Sequence, residues 1–137
     1  MNTHLVKKTI RMHDTDMAGI LFFPQQFRLA HEAFEELLDL ENLSIRNLFE
    51  IEPFIFVIAK AESEYLKPFK ICDPIDIYIS IAKLGHTSFV SAYEIKKGEE
   101  IVGKTRLTHV ALDKGTKKPI PLPEKLKNIL TKYTCHV

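Results

Sequence analysis

Residues 13–40 read HDTDMAGILFFPQQFRLAHEAFEELLDL, and this stretch decides the fold. A short turn with two carboxylates, Asp14 and Asp16, passes Gly19 and the apolar step Ile20-Leu21-Phe22-Phe23 to reach Pro24. Proline is tolerated at the start of a helix, where its missing N–H would be unpaired anyway and its φ is already helical, so Pro24 marks a helix start. Advancing 100° per residue from Phe27 gathers Leu29, Ala30, Ala33, Phe34, Leu37, Leu38 and Leu40 with Phe27 on one half of the helix, opposite Arg28, Glu32, Glu35, Glu36 and Asp39. Half a circumference is wider than the stripe of an ordinary surface helix, and predicts a sheet that curves round it. His31 falls on the border, where it either lines a cleft or packs its ring and leaves its nitrogens wet.

Outside that stretch the chain reads as strands. Residues 4–12 alternate charged and apolar side chains, a first strand that leads into the acidic turn. Ser44 is placed to cap a short helix over Ile45 to Glu50, and Pro53 halts it. Phe54 to Lys67 starts as a continuous apolar run and then alternates, and Lys67-Pro68 through Cys72-Asp73-Pro74 is a loop. Ile75, Ile77, Ile79 and Ile81 then give the clearest alternation in the chain. Gly85-His86-Thr87 turns into a strand over Ser88 to Lys96, and Lys97-Gly98-Glu99 is a hairpin turn into Glu100 to Leu112. A short helix over Pro123 to Lys132 closes the chain. Long antiparallel strands with one long early helix define an α+β domain.

The 137 residues are enough for one domain with a substantial core, read here as 1–137. Nineteen basic residues balance eighteen acidic ones without long runs of either sign, so no footprint for DNA or RNA is present. The opening MNTHLVKKTIRM has no unbroken apolar core, and no apolar run approaches the roughly 18 residues of a membrane span. No membrane association is expected, and the location expected is cytoplasmic. Cys72 and Cys135, far apart in sequence, do not form a disulfide framework, in keeping with a reducing compartment.

Residue types also narrow the chemistry. The chain has no G-x-S-x-G elbow, glycine-rich phosphate loop or dinucleotide fingerprint. Its six histidines form no H-x-x-x-H pair, and no metal is expected at His13, Asp14 and Asp16. Cys72 lacks a basic neighbour that would activate a thiolate. What remains is a carboxylate just before a helix N-terminus: the helix end polarises a carbonyl while the carboxylate attacks it or activates water. The competing role for such an aspartate is to cap the turn.

The string D-T-D-M-A-G-I-L-F-F-P, followed by a helix with H-E-A-F-E, resembles the signature of hotdog-fold acyl-CoA thioesterases of the 4-hydroxybenzoyl-CoA thioesterase type. Tyr65-Leu66-Lys67-Pro68, the Asp73 turn and Gly85-His86-Thr87-Ser88 occur in family-like order, so the likeness spans nearly the whole chain. It implies a hotdog fold, one long helix wrapped by an antiparallel sheet, assembled as a homodimer or homotetramer with sites at subunit interfaces. It carries the catalytic aspartate onto Asp16 and the carbonyl-polarising backbone amide onto Phe23, and leaves Asp14 to position the turn. Gly19 would let the backbone bend close to the substrate.

The implied reaction is hydrolysis of an acyl-CoA thioester, with Asp16 as nucleophile or general base. CoA enters as part of the substrate and no cofactor is implied. The sequence around Phe22-Phe23 and His31-Glu32-Ala33-Phe34-Glu35 is similar to the branch that hydrolyses 1,4-dihydroxy-2-naphthoyl-CoA on the way to phylloquinone or menaquinone. His31 would then contact the acyl ring, and Lys67, Lys83 and His86 are candidates for the CoA phosphates. A general short-chain or fatty acyl-CoA thioesterase, a hotdog dehydratase and a non-catalytic acyl-binding module are the alternatives; the D-x-D-x-x-G turn argues against the dehydratase.

Overall fold

A computed structural model describes residues 3–134. The strands are β1 (His4–Thr9), β2 (Phe54–Tyr65), β3 (Pro74–Leu84), β4 (Ser88–Lys97) and β5 (Glu100–Asp113), and the helices are α1 (Gln25–Leu40), α2 (Ile45–Glu50) and α3 (Glu124–Thr131). The strands form one antiparallel sheet in the order β1-β3-β4-β5-β2. Helix α1 packs against β1, β2, β3 and β5, which is the hotdog arrangement.

Alternation decides which face of the sheet meets the helix. Ile75, Ile77, Ile79 and Ile81 of β3, Phe89, Tyr93 and Ile95 of β4, and Leu107 and Ala111 of β5 are all buried. They meet Leu29, Ala30, Ala33, Phe34, Leu37 and Leu38 of α1 in a single core. Burying a Leu or Phe side chain contributes about 1.5–3 kcal/mol, so this two-sided apolar face supplies most of what holds the sheet onto the helix. Leu40, placed on the apolar half by the helical wheel, is exposed because the helix ends there and Glu41 caps it.

One polar column runs through the core. His109 lies between Phe34 and Phe89, with ring centroids 4.7 and 4.5 Å away, and its Nε2 is 2.9 Å from the Ser91 hydroxyl, which accepts from the Tyr93 hydroxyl at 2.8 Å. Burial, with the charge of His31 adding to it, holds the His109 pKa down to about 3.

Two boundaries differ from expectation. The first strand stops at Thr9 instead of residue 12: Ile10 N–H still donates to the Asp73 carbonyl at 2.9 Å, but the Asp73 N–H turns to the Lys70 carbonyl at 3.0 Å, and Met12–Asp14 forms a 3-10 turn. The second stops at Tyr65, because the amides of Leu66 and Lys67 both turn to the carbonyl of Val102. Ser44 caps α2 as anticipated, its hydroxyl accepting from Asn47 N–H at 3.1 Å. Cys135 lies outside the described residues.

Candidate active site

The acidic turn folds as a small hairpin. Thr15 bridges Leu21, the Phe22 N–H donates to the Asp14 carbonyl at 2.9 Å, and the Asp16 N–H donates to the Ile20 carbonyl at 3.0 Å. Asp16 therefore sits at the tip. Gly19 closes the turn with its N–H on the Asp16 carbonyl at 3.0 Å and a φ of +76°, a left-handed conformation that side chains disfavour. Nothing lies within 4 Å of where a Gly19 Cβ would stand, so the requirement for glycine is conformational. The returning arm pairs with the loop before β3: Leu21 N–H donates to the Phe69 carbonyl, and Ile71 N–H to the Gly19 carbonyl.

The two aspartates have opposite surroundings. Asp14 is buried and accepts from the Arg11 N–H at 2.8 Å and from the Arg28 guanidinium, with His13 Nε2 3.4 Å away. Its carboxylate ties the hairpin to α1. Asp16 is exposed and accepts one local bond, from Ala18 N–H at 2.8 Å, the Asx turn expected of an aspartate two residues ahead of a turn amide. A carboxylate held from one side keeps lone pairs free for chemistry.

The start of α1 supplies the second element. The amides of Gln25, Gln26 and Phe27 are taken up by the carbonyls of Phe22, Phe23 and Pro24, and Pro24 has no N–H to offer. Among the described residues the Phe23 N–H has no acceptor, so it is the unengaged donor at the positive end of the helix. Tyr65, at the end of β2, donates its hydroxyl to the Phe23 carbonyl at 2.7 Å and sets its ring edge-on to Phe23, with centroids 6.4 Å apart. Phe22 also stands edge-on to Phe23, with centroids 5.4 Å apart.

Asp16, Gly19 and Phe23 thus share one hairpin, and Lys67 lies two residues beyond Tyr65, its ammonium 2.5 Å from Glu100. Lys83 and His86 are not brought to this place within one chain: Lys83 lies near the far end of β3, roughly 30 Å along the strand from Pro74, and His86 just beyond it, whereas Asp73, the neighbour of Pro74, bonds Ile10 beside the hairpin. His31 is exposed, two turns into α1. Arg28, bonded to Asp14, Tyr65, bonded to Phe23, and the buried Gln26 adjoin the candidate site without having been singled out in the sequence. A signal for Gln26 existed: it shares the buried face with Leu29, Ala30 and Ala33 at helical spacing, where a polar residue is out of place.

Among the described residues no three His, Cys, Asp or Glu side chains group as metal ligands, and no helix is long and apolar enough to cross a membrane. A cleft of about 630 Å³ is lined by His13, Asp14 and Arg28, and one of about 490 Å³ by Ser63, Glu64, Lys104 and Thr105; neither is lined by Asp16 or Phe23.

A helix wrapped by a five-stranded antiparallel sheet, with an exposed aspartate and a free amide at the helix entrance, defines a hotdog thioesterase architecture. The chain belongs to the thioesterase-like superfamily, whose family profile matches residues 10–130, and it is a thioester hydrolase. It is 32% identical over 124 residues to a 1,4-dihydroxy-2-naphthoyl-CoA hydrolase of Microcystis aeruginosa, covering 90% of each chain. A hydrolase of the same name from Prochlorococcus marinus is 31% identical over 128 residues, covering 88% of this chain and 83% of that one. The crystal structure of a 1,4-dihydroxy-2-naphthoyl-CoA thioesterase from Synechocystis superimposes with a TM-score of 0.87 at 25% identity, over 94% of this chain and 96% of that one.

Proposed function

We propose that this thioesterase hydrolyses an aromatic acyl-CoA, with 1,4-dihydroxy-2-naphthoyl-CoA the first choice, to the free acid and CoA. The observation that carries the reading is the pairing of an exposed, singly bonded Asp16 carboxylate with an acceptor-free Phe23 N–H on one hairpin. The thioester carbonyl oxygen takes the Phe23 N–H, so negative charge developing on it meets a fixed donor reinforced by the helix end. Asp16 attacks the carbonyl carbon and expels the CoA thiolate to leave a mixed anhydride that water opens, or it takes a proton from the water that attacks directly. Both routes end in carboxylate and thiol, and neither draws on a cofactor.

The aromatic preference rests on the names of the relatives and on the apolar surroundings. Phe22, Phe23 and Tyr65 are exposed about the hairpin, aromatic faces and edges suited to a bicyclic ring, and Met17 adds an exposed apolar side chain. A single chain offers these groups on an open surface. The proposed enzyme is a homodimer or homotetramer of cytoplasmic location, in which a second copy closes the acyl pocket; Val57 and Ile58, exposed on the edge strand β2, support such a contact. In that assembly Lys67 serves the CoA phosphates from the same chain, whereas Lys83 and His86 serve only across a subunit boundary, and His31 meets the acyl group only if the pocket extends along α1.

Thiol release from 1,4-dihydroxy-2-naphthoyl, 4-hydroxybenzoyl, short-chain and palmitoyl esters of CoA tests the assignment. The expected result is the highest kcat/KM on the bicyclic aromatic ester. A preference for palmitoyl or short-chain esters replaces it with a general thioesterase, and binding without release replaces it with an acyl-binding module.

A further inference from the structure

Gln26 is the second residue of α1 and is completely buried. Its Nε2 donates to the backbone carbonyls of Glu64 at 3.1 Å and Lys104 at 3.3 Å and lies 3.2 Å from the Thr105 hydroxyl, which in turn is 2.8 Å from the Ser63 hydroxyl. Among the described residues its Oε1 has no hydrogen-bond partner. That oxygen faces Gly103, where an added Cβ would stand 2.8 Å from Oε1 and 2.9 Å from Nε2. An unpartnered buried acceptor carries a desolvation cost that a methionine of similar shape would avoid. Stability alone therefore does not account for glutamine here, and its connections do.

Those connections converge on the entrance of α1. Glu64 and Tyr65 are consecutive in β2: the Glu64 carbonyl holds the Gln26 side chain, and the Tyr65 hydroxyl holds the Phe23 carbonyl. Tyr65 also pairs directly with Gly103, the residue whose missing side chain leaves room for the carboxamide. The turn from Phe23 to Gln26, closed by the Gln26 N–H on the Phe23 carbonyl at 3.4 Å, is thus fastened to the sheet at both of its ends.

We propose that Gln26 is a positioning residue for hydrolysis: its carboxamide, seated over Gly103 and bonded to β2 and β5, fixes the first turn of α1 so that the Phe23 amide is aimed at the substrate carbonyl. The proposal rests on the reading of the Phe23 N–H as the carbonyl-polarising donor. A donor for a developing oxyanion acts only if it is aimed beforehand, and small displacements of such groups cost large factors in rate. Gln26 itself touches no substrate.

The test compares wild type, Gln26→Met, Gly103→Ala, the double variant Gly103→Ala with Gln26→Ala, and Asp16→Asn, measuring Tm together with kcat and KM on 1,4-dihydroxy-2-naphthoyl-CoA. Gln26→Met is expected to keep or raise Tm and hold KM within about twofold while kcat falls roughly 10- to 100-fold. Gly103→Ala, whose methyl group drives the carboxamide from its seat, lowers both Tm and kcat. Truncating Gln26 in that background removes the clash and raises Tm again, and kcat stays low. If Gln26→Met does not fold, Thr105→Val removes one hydroxyl partner and shows the same split at smaller amplitude. A Gln26→Met kcat within twofold of wild type, or a kcat that recovers with Tm in the double variant, overturns the assignment while an inactive Asp16→Asn leaves the site reading standing. If the wild type releases no thiol, or Asp16→Asn equals it, the site reading fails and Gln26 has nothing to position.

Discussion

The Tyr65 hydroxyl donates to the Phe23 carbonyl at 2.7 Å, so the last residue of β2 grips the peptide unit that leads from the acidic hairpin into α1. Tyr65→Phe keeps the ring, its edge-on contact with Phe23 and its apolar surface, and deletes only that bond. A hydrogen bond of this kind contributes about 0.5–1.5 kcal/mol net, which as transition-state alignment is up to roughly tenfold in rate. Steady-state kinetics of Tyr65→Phe are expected to show kcat lowered by up to about tenfold with KM nearly unchanged. An unchanged kcat would mean that the backbone holds Phe23 unaided.

The two aspartates of the turn should separate by assay. Asp14 is buried and accepts from the Arg11 N–H and the Arg28 guanidinium; removing it leaves the Arg11 amide without its acceptor and the Arg28 guanidinium with only Gln25 and Glu32. Breaking a buried pair costs about 3–5 kcal/mol; because the Arg28 side chain is 37% exposed, about 2–3 kcal/mol is the expectation for Asp14→Ala. Chemical denaturation should show that loss for Asp14→Ala and a far smaller one for Asp16→Ala, whose carboxylate is exposed. Equal losses would deny Asp14 its structural role.

How much of this was legible in the sequence depends on the range of the interaction concerned. The isoleucine alternation of β3 and the apolar half of α1 are local periodicities, and both returned as the two faces of the core. The aspartate turn and its glycine were legible as well, because Asx turns and left-handed glycines are set by a few neighbouring residues. Helical spacing marked Gln26 as a polar residue on a buried face, but its partners were not legible, since they lie 38, 78 and 79 residues away and only the folded sheet brings them to it. The separation of Lys67 from Lys83 and His86 within one chain was not legible either, because strand direction follows from the order of the sheet. Three antiparallel steps separate β2 from β3, so their C-terminal ends, where Lys67 and Lys83 reside, point to opposite ends of the sheet.

Acid stability should reveal the buried histidine. The folded chain holds the His109 pKa at about 3 against 6.5 for the free side chain, so between these values the unfolded chain takes up a proton that the folded chain refuses. The stabilisation is complete above pH 6.5 and is lost as the pH falls through that window, about 2 kcal/mol of it by pH 5. Comparing Tm at pH 7 and pH 5 should show a larger drop for wild type than for His109→Phe, which retains the stack between Phe34 and Phe89. Identical drops would place the sensitivity elsewhere.

Phe34 touches the rings of Phe56, Phe89 and His109 at the centre of the helix–sheet contact. Phe34→Ala is expected to cost about 3–5 kcal/mol, read as a shift in denaturation midpoint at constant slope. A cost below about 1 kcal/mol would mean that the helix seat collapses to fill the space.

Turnover of 1,4-dihydroxy-2-naphthoyl-CoA by Asp16→Asn beside wild type tests the central claim most directly, because the substitution keeps size and the turn-forming oxygen and removes only the charge. The predicted result is a folded variant whose kcat is lower by about 10²- to 10⁴-fold, the range for a lost acid–base or nucleophilic group. A folded Asp16→Asn protein that releases thiol at the wild-type rate would contradict the assignment of Asp16 and, with it, the reading of the hairpin as the active site.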